Sequence, residues 1–130
     1  MIVVDTSAIM AIVLDEPAAE ACMAALEAED RPVMSAGTFA EILVVSMGRK
    51  VDDVALALIY DLGVEIVPVT AASVRRMADG YRRWGKGMNP ASLNFGDCFA
   101  YEAARTHNCQ LLYVGNDFAR TDVQSALLGP

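Results

Sequence analysis

The chain has 130 residues, of which 55% are apolar and 21% are charged. This length suits one compact domain, and the apolar share is too high for a disordered chain. The net charge of −7 is opposite in sign to that of most dedicated nucleic-acid-binding domains. The three cysteines have no paired spacing, and no apolar run reaches the ~18 residues that span a bilayer. We therefore expect a reduced, cytoplasmic protein that does not enter the membrane.

Strands and helices alternate from the start of the chain. The apolar run Ile2–Val4 predicts a strand that is buried on both faces, and a helix is expected over residues 7–14. Pro17 is favoured at the start of a second, alanine-rich helix, which ends before Pro32. Residues 33–35 predict the second strand.

The alternation continues through the middle of the chain. Thr38 and Glu41 have the spacing of a capping box, so the third helix is expected to begin there. A fourth helix is expected over residues 54–62 and a third strand over residues 64–67. A long helix, capped by Thr70, then continues to about residue 84.

The C-terminal third supplies the last predicted elements. A helix begins at Asp97 and ends near residue 106, a fourth strand covers residues 111–114, and a turn follows over residues 115–122. The connections between strands are too long for hairpins and contain helices, as in β-α-β units with parallel strands. The sequence therefore predicts an α/β sandwich with a parallel sheet, in one domain over residues 1–130.

Acidic side chains occur where the predicted strands meet the helices. They are Asp5 after the first strand, Glu41 in the helix after the second, Asp97 before the fourth, and Asp117 and Asp122 after it. Each of them alone could be an ordinary helix cap or turn residue. Ligands of open parallel sheets bind at the carboxyl ends of the strands, where these acids could gather.

A cluster of carboxylates has a chemical consequence. Converging negative charges repel one another and cost stability unless a cation neutralises them. Oxygen donors without histidine or cysteine favour a hard divalent ion, which indicates Mg²⁺, with Mn²⁺ as a substitute. Such an ion at a carboxylate site is typical of phosphodiester hydrolysis.

Four segments of the chain carry a more specific pattern. MIVVDTSAI, GTFAEIL, NFGDCFAYEAA and LLYVGNDFARTD occur in this order over nearly the whole chain. They resemble the acidic signature of PIN-domain nucleases, and in particular that of the VapC toxins of bacterial toxin–antitoxin pairs. The resemblance implies catalytic acids at Asp5, Glu41, Asp97 and Asp117. Asp5, Asp97 and Asp117 would hold the metal, and Glu41 would be a ligand or would orient the attacking water.

Other positions of the family pattern imply supporting roles. Thr6 and Ser7 match the hydroxyls that follow the first aspartate, and either would fix a carboxylate of the site. Asn116 fits the loop before the last acid, and Asp122 matches an acid whose role in the family is less uniform.

The resemblance also implies a fold, an activity and partners. The fold is a three-layer α/β/α sandwich with a central, mainly parallel sheet of four or five strands. The activity is that of a Mg²⁺-dependent endoribonuclease, the toxin of a type II toxin–antitoxin pair. The partners are cellular RNA, a second copy of the chain in a homodimer, and a cognate antitoxin whose C-terminal segment lies in a groove of the toxin. The alternative is a non-catalytic PIN-derived domain that dimerises or binds RNA.

Half of the ten Lys and Arg residues lie close together in the sequence. They are Arg75, Arg76, Arg82, Arg83 and Lys86. At about 100° per residue they would form one basic face of the long fifth helix. This face is either simply solvated or contacts the phosphates of RNA.

Overall fold

The computed structural model describes residues 1–127. Within that part of the chain, four strands form one parallel sheet in the spatial order β3-β2-β1-β4. The strands are β1 (Ile2–Val4), β2 (Pro32–Ser35), β3 (Glu65–Val67) and β4 (Gln110–Leu112). The helices are α1 (Thr6–Val13), α2 (Ala19–Glu27), α3 (Ala36–Gly48), α4 (Asp52–Asp61), α5 (Ala71–Trp84) and α6 (Phe95–Thr106), and a short 3-10 helix covers Phe118–Arg120. No helix of residues 1–127 has the length and apolarity that crossing a membrane requires.

The side chains of the sheet contribute to two apolar layers, because successive residues of a strand point to opposite faces. Val3 and Leu111 pack with residues of α5 and α6 on one face. Ile2, Val4 and Leu112 pack with residues of α1, α2, α3 and α4 on the other face. Helices thus cover both faces, and the predicted α/β/α sandwich is confirmed.

The central strand positions the residues that follow it. β1 pairs with β2 on one side and with β4 on the other, and its three residues are buried. Because all four strands run in parallel, the residues after β1, β2 and β4 lie at the same edge of the sheet. We call this the carboxyl edge.

The start of α3 differs from the prediction. Ser35, the last residue of β2, caps this helix, and its Oγ accepts the N–H of Gly37 at 3.1 Å. Thr38 is instead fully buried inside the helix, and Glu41 lies in the second turn, not the first. The predicted capping box at these two positions is therefore wrong, because the serine at the strand end satisfies the helix N-terminus one turn earlier.

The start of α6 also lies earlier than predicted. The helix begins at Phe95, and Asn94 is its N-cap. Asp97 is not the first residue but the third, where its side chain completes a capping box with Asn94. The start of α4 and the end of β4 also lie two residues before their predicted positions. Pro17 lies in a turn before α2, because Ala19 N–H donates to the carbonyl of Glu16 at 2.9 Å.

Two helices approach closely near the carboxyl edge. A Cβ placed on Gly37 of α3 would lie 2.5 Å from Cδ1 and 2.9 Å from Cδ2 of Phe99 in α6. No real Cβ contact is that short, so the contact requires glycine. The close approach of α3 to α6 brings Glu41 to the first turn of α6.

Candidate active site at the carboxyl edge of the sheet

Asp5 ends the central strand and caps α1. Its Oδ2 accepts two hydrogen bonds from Ser7, one from the backbone N–H at 3.1 Å and one from the hydroxyl at 2.6 Å. Its Oδ1 is buried and has no hydrogen-bond partner in residues 1–127. Burial raises the pKa of Asp5 to about 6, and the charge of Glu41 acts in the same direction, although the Ser7 hydrogen bonds oppose both. Asp5 is therefore a helix cap that keeps one oxygen free.

The two hydroxyls after Asp5 tie the site to neighbouring elements. The Ser7 hydroxyl donates to Asp5 and accepts the backbone N–H of Val114 at 2.9 Å, so it joins α1 to the segment after β4. The Thr6 hydroxyl donates to Oε1 of Glu41 at 2.5 Å, so it joins α1 to α3. Both predicted hydroxyls thus contact a carboxylate of the site.

Asp97 faces the same region from α6. Its Oδ2 accepts the N–H of Asn94 at 3.0 Å, and its own N–H donates to Oδ1 of Asn94 at 2.8 Å. Burial raises the pKa of Asp97 to about 7, and the negative charges of Asp5, Asp117 and Glu41 add to the shift, against the Asn94 hydrogen bond. These electrostatic contributions place the four acids around one region.

The last acid lies on an exposed turn. Asp117 follows β4, and its side chain makes no capping hydrogen bond to the short helix Phe118–Arg120. The neighbouring Asn116 is exposed, and its carbonyl accepts the N–H of Ala119 at 3.2 Å. In residues 1–127 the Asn116 side chain makes no hydrogen bond, so its predicted supporting role has no observed contact.

The donor set fits a hard divalent cation. It consists of carboxylate oxygens, one of which is buried without a partner. Within residues 1–127 the acids do not close into a preassembled cluster of three ligands. Mg²⁺ needs no such cluster, because it keeps several waters and uses only one or two carboxylates directly. Asp5, Asp97 and Asp117 are the side chains that would hold it.

A family model described as PIN domain matches residues 2–124. The chain belongs to the PIN-domain family. Similar proteins indicate a narrower group within this family. The VapC ribonuclease Mb2004c of Mycobacterium bovis is 40% identical over 126 residues, covering 94% of this chain and 91% of the relative. Ribonuclease VapC30 of Mycobacterium tuberculosis is 36% identical over 129 residues, covering 97% and 98%. The predicted membership in the VapC ribonucleases is confirmed.

Solved structures share the fold of this PIN domain. VapC20 of Mycobacterium tuberculosis, described as a toxin that cleaves the sarcin–ricin loop, matches with a TM-score of 0.77, covering 95% of this chain and 96% of that one. A chain of a toxin–antitoxin complex from Klebsiella pneumoniae matches with a TM-score of 0.71, covering 97% and 98%. Both are 17% identical in sequence, so this likeness concerns the fold alone.

In the PIN domain, residues of α5 and α6 hold Asp122. Its Oδ1 accepts the Tyr101 hydroxyl at 2.7 Å, and its Oδ2 lies 3.4 Å from Arg83 and 3.7 Å from Arg105. Tyr101 and Arg105 follow Asp97 by one and two turns of α6, about 6 and 12 Å along the helix axis. These contacts anchor Asp122 to α5 and α6, and its supporting role at the site stays a prediction. The short helix Phe118–Arg120 lies between Asp117 and Asp122.

The predicted basic face is largely engaged in ion pairs. Three of its members are paired, as Arg76 with Glu102 at 3.0 Å, Arg82 with Asp79 at 2.6 Å and Arg83 with Asp122 at 3.4 Å. Lys86 lies beyond the end of α5, and neither it nor Arg75 forms an ion pair within residues 1–127. Arg82 and Lys86 line a groove of about 550 Å³ that also contains Asn94 and Phe95. These two cations therefore lie closest to the first turn of α6.

Sequence reasoning missed two residues of the site. The spacing of Asn94 and Asp97 is that of a capping box, so this partner was available in the sequence. The role of Gly96 could not be predicted from the sequence, because it depends on a contact with Glu41 of another helix. A Cβ on Gly96 would lie 2.5 Å from Cδ and 2.8 Å from Oε1 of that side chain.

We predict that Asp5→Asn stabilises the metal-free protein at neutral pH. The folded pKa of about 6 lies above the ordinary value of 3.8, so ionisation of Asp5 disfavours the folded state as pH rises. The gain in the free energy of unfolding of Asp5→Asn over the wild type should be small near pH 4 and reach the order of 2–3 kcal/mol above pH 7. Thermal unfolding in EDTA across this range measures it. A difference in melting temperature that does not change with pH would contradict the raised pKa.

A second prediction separates Asp122 from Asp117. Asp122→Asn should lower the free energy of unfolding by roughly 1 kcal/mol, because it weakens partly exposed contacts with Tyr101 and two arginines. It should leave Mn²⁺ binding, measured by calorimetry, unchanged. Asp117→Asn is the matched variant, with little effect on stability and weaker Mn²⁺ binding. Equal loss of Mn²⁺ affinity in both variants would return Asp122 to the site.

Proposed function

We propose that this VapC-type PIN domain is a Mg²⁺-dependent endoribonuclease, the toxin of a type II toxin–antitoxin pair. The observation that carries the proposal is the carboxylate pair Asp5 and Asp97. Both are buried at the carboxyl edge with raised pKa values, and one oxygen of Asp5 has no partner in residues 1–127. A buried, half-satisfied carboxylate costs folding free energy, and a cation that binds the folded state recovers it. The relatives named as ribonucleases support the activity.

The residues of the site would have different roles in the reaction. Asp5, Asp97 and Asp117 would hold the ion, which, when bound, stabilises charge on the scissile phosphate and acidifies water. Ser7 fixes the orientation of Asp5, and Asn94 fixes that of Asp97. Glu41, held by the Thr6 hydroxyl, is placed to orient the attacking water by accepting a hydrogen bond from it.

The RNA would approach along the groove that Arg82 and Lys86 line. The groove reaches Asn94, which caps the helix that carries Asp97. An acidic protein needs local positive charge beside its active site to hold a polyanion. Arg75 extends this charge along α5. Arg82 pairs with Asp79, but this pair is exposed, whereas the partners of Arg76 and Arg83 are more deeply buried carboxylates.

Exposed apolar surface supports protein partners for this domain. Phe95 and Val44 are each 68% exposed, and both line the same apolar groove, which makes them part of a contiguous patch. Phe95 borders both the groove beside α5 and a second one of about 550 Å³ between α3 and α6. We propose that this surface serves the cognate antitoxin and the homodimer. A toxin–antitoxin complex among the solved structures of this fold supports a protein partner.

The alternative function is a PIN-derived domain that binds RNA or dimerises without cleaving. The retained acids argue against it, because their burial and mutual repulsion cost stability that a purely structural domain has no reason to keep. RNA cleavage with purified protein separates the two functions.

We predict that Asp5→Asn and Asp97→Asn lower the rate of RNA cleavage by at least about a hundredfold, because each removes a charge that holds the ion. The rate of the wild type should fall to background in EDTA and return with Mg²⁺ or Mn²⁺. Circular dichroism checks that both variants keep the fold. A wild type that cuts no RNA with either ion would contradict the nuclease proposal.

A separate prediction concerns RNA binding. Arg82→Ala and Lys86→Ala should each weaken RNA affinity and reduce the slope of log K against log[salt] by roughly one unit or less. Arg31→Ala is the control, because this exposed arginine pairs with Glu65 at the amino edge of the sheet. Filter binding to Asp5→Asn protein measures affinity without cleavage. If the control lowers affinity as much as the two variants, the groove is not the RNA path.

A further inference from the structure

The carboxylate of Glu41 contacts residues of two other helices. The Thr6 hydroxyl of α1 donates to Oε1 at 2.5 Å. The second contact is with Gly96 in the first turn of α6, directly before Asp97 in the chain. The three atoms nearest to a Cβ built on Gly96 all belong to the Glu41 carboxylate.

The backbone of Gly96 does not require glycine. The residue lies in a helix and is absent from the positive-φ positions of residues 1–127. Alanine is favoured over glycine at such a helical position by up to about 1 kcal/mol. The side chain of an alanine would, however, overlap Oε2 of Glu41 and lie 2.5 Å from its Cδ. The nearest atoms that an added side chain would meet therefore belong to the carboxylate of Glu41.

Gly37 provides the contrasting case in the same helix pair. A Cβ there would meet the ring of Phe99, which is packed against the core layer of α5 and α6. A ring in a packed layer moves only at a cost in stability. The carboxylate of Glu41 is instead the end of a flexible side chain, so it would move at little cost. An added methyl group at Gly96 would thus change the position of a catalytic acid more than the stability of the fold.

We propose that Gly96 is a positioning residue for Glu41. The missing side chain lets the carboxylate rest against the first turn of α6, where the helix N-terminus favours negative charge. The Thr6 hydroxyl holds the carboxylate in that place by its hydrogen bond to Oε1. The effect on cleavage rests on the proposed function, whereas the contact of Glu41 with both residues does not.

Metal-free stability tests the contact itself. Thr6→Val should lower the melting temperature by roughly 4 °C in the wild type, because it removes a charge-assisted hydrogen bond. In the Gly96→Ala background, Thr6→Val should lower the melting temperature by less than half as much. The added methyl group has then already moved the Glu41 carboxylate away from the Thr6 hydroxyl. Gly48→Ala is the control background, since a Cβ there meets nothing within 4 Å, and the full effect is expected. Equal effects of Thr6→Val in all three backgrounds would overturn the proposal.

Cleavage kinetics test the consequence. Gly96→Ala should lower kcat by at least about tenfold with a smaller change in KM, while Gly48→Ala cleaves like the wild type. Adding Glu41→Asp to Gly96→Ala should raise kcat again, because the shorter side chain clears the new methyl group. In the wild-type background Glu41→Asp should lower kcat. Unchanged kcat in Gly96→Ala would overturn the positioning role. If the wild type cuts no RNA, the proposed function is contradicted. The melting temperatures of the Thr6→Val variants still test whether Gly96 and Thr6 hold the Glu41 carboxylate.

Discussion

The structure depends on one buried carboxylate at the end of its central strand. β1 is paired on both sides and covered on both faces, so Asp5 leaves the sheet where no solvent reaches it. Ser7 satisfies one oxygen twice, and the other has no partner in residues 1–127. The same side chain therefore begins α1 and keeps a free oxygen at the carboxyl edge. This arrangement costs stability in the absence of a cation, which is typical of residues retained for chemistry.

The neighbouring elements are arranged around that carboxylate. The Ser7 hydroxyl connects α1 to the segment after β4, and the Thr6 hydroxyl connects α1 to Glu41 of α3. Two glycines then allow α3 to approach α6, Gly37 against an aromatic ring and Gly96 against the Glu41 carboxylate. Four acids from distant parts of the chain thus share one region, and the charges of three of them raise the pKa of Asp97. A cation bound among them would relieve their mutual repulsion.

Asp117 and Asp122 show why residue type alone does not define such a site. They are five positions apart on the same acidic turn of the sequence. Asp117 is exposed at the carboxyl edge, whereas Asp122 is held by Tyr101 and Arg105 of α6 and by Arg83 of α5. The short helix between them redirects the chain. Similarly, the basic residues of α5 look equivalent on a helical wheel. Two of their partners, Glu102 of α6 and Asp122 of the turn after β4, lie outside that wheel, whereas Asp79 lies on α5 itself.

By itself, the sequence determined the order of strands and helices, the parallel sheet and the identity of the acids. These follow from local apolar periodicity and from short motifs, which act within a few residues. It also implied the hydroxyls of Thr6 and Ser7, although not which carboxylate each contacts. The capping-box spacing of Asn94 and Asp97 also marked the start of α6. Only the tertiary structure decided the start of α3, the contacts of Asp122 and the role of Gly96. The physical reason is that caps compete with one another, and that a contact across 55 residues, such as that of Glu41 with Gly96, depends on how two helices pack.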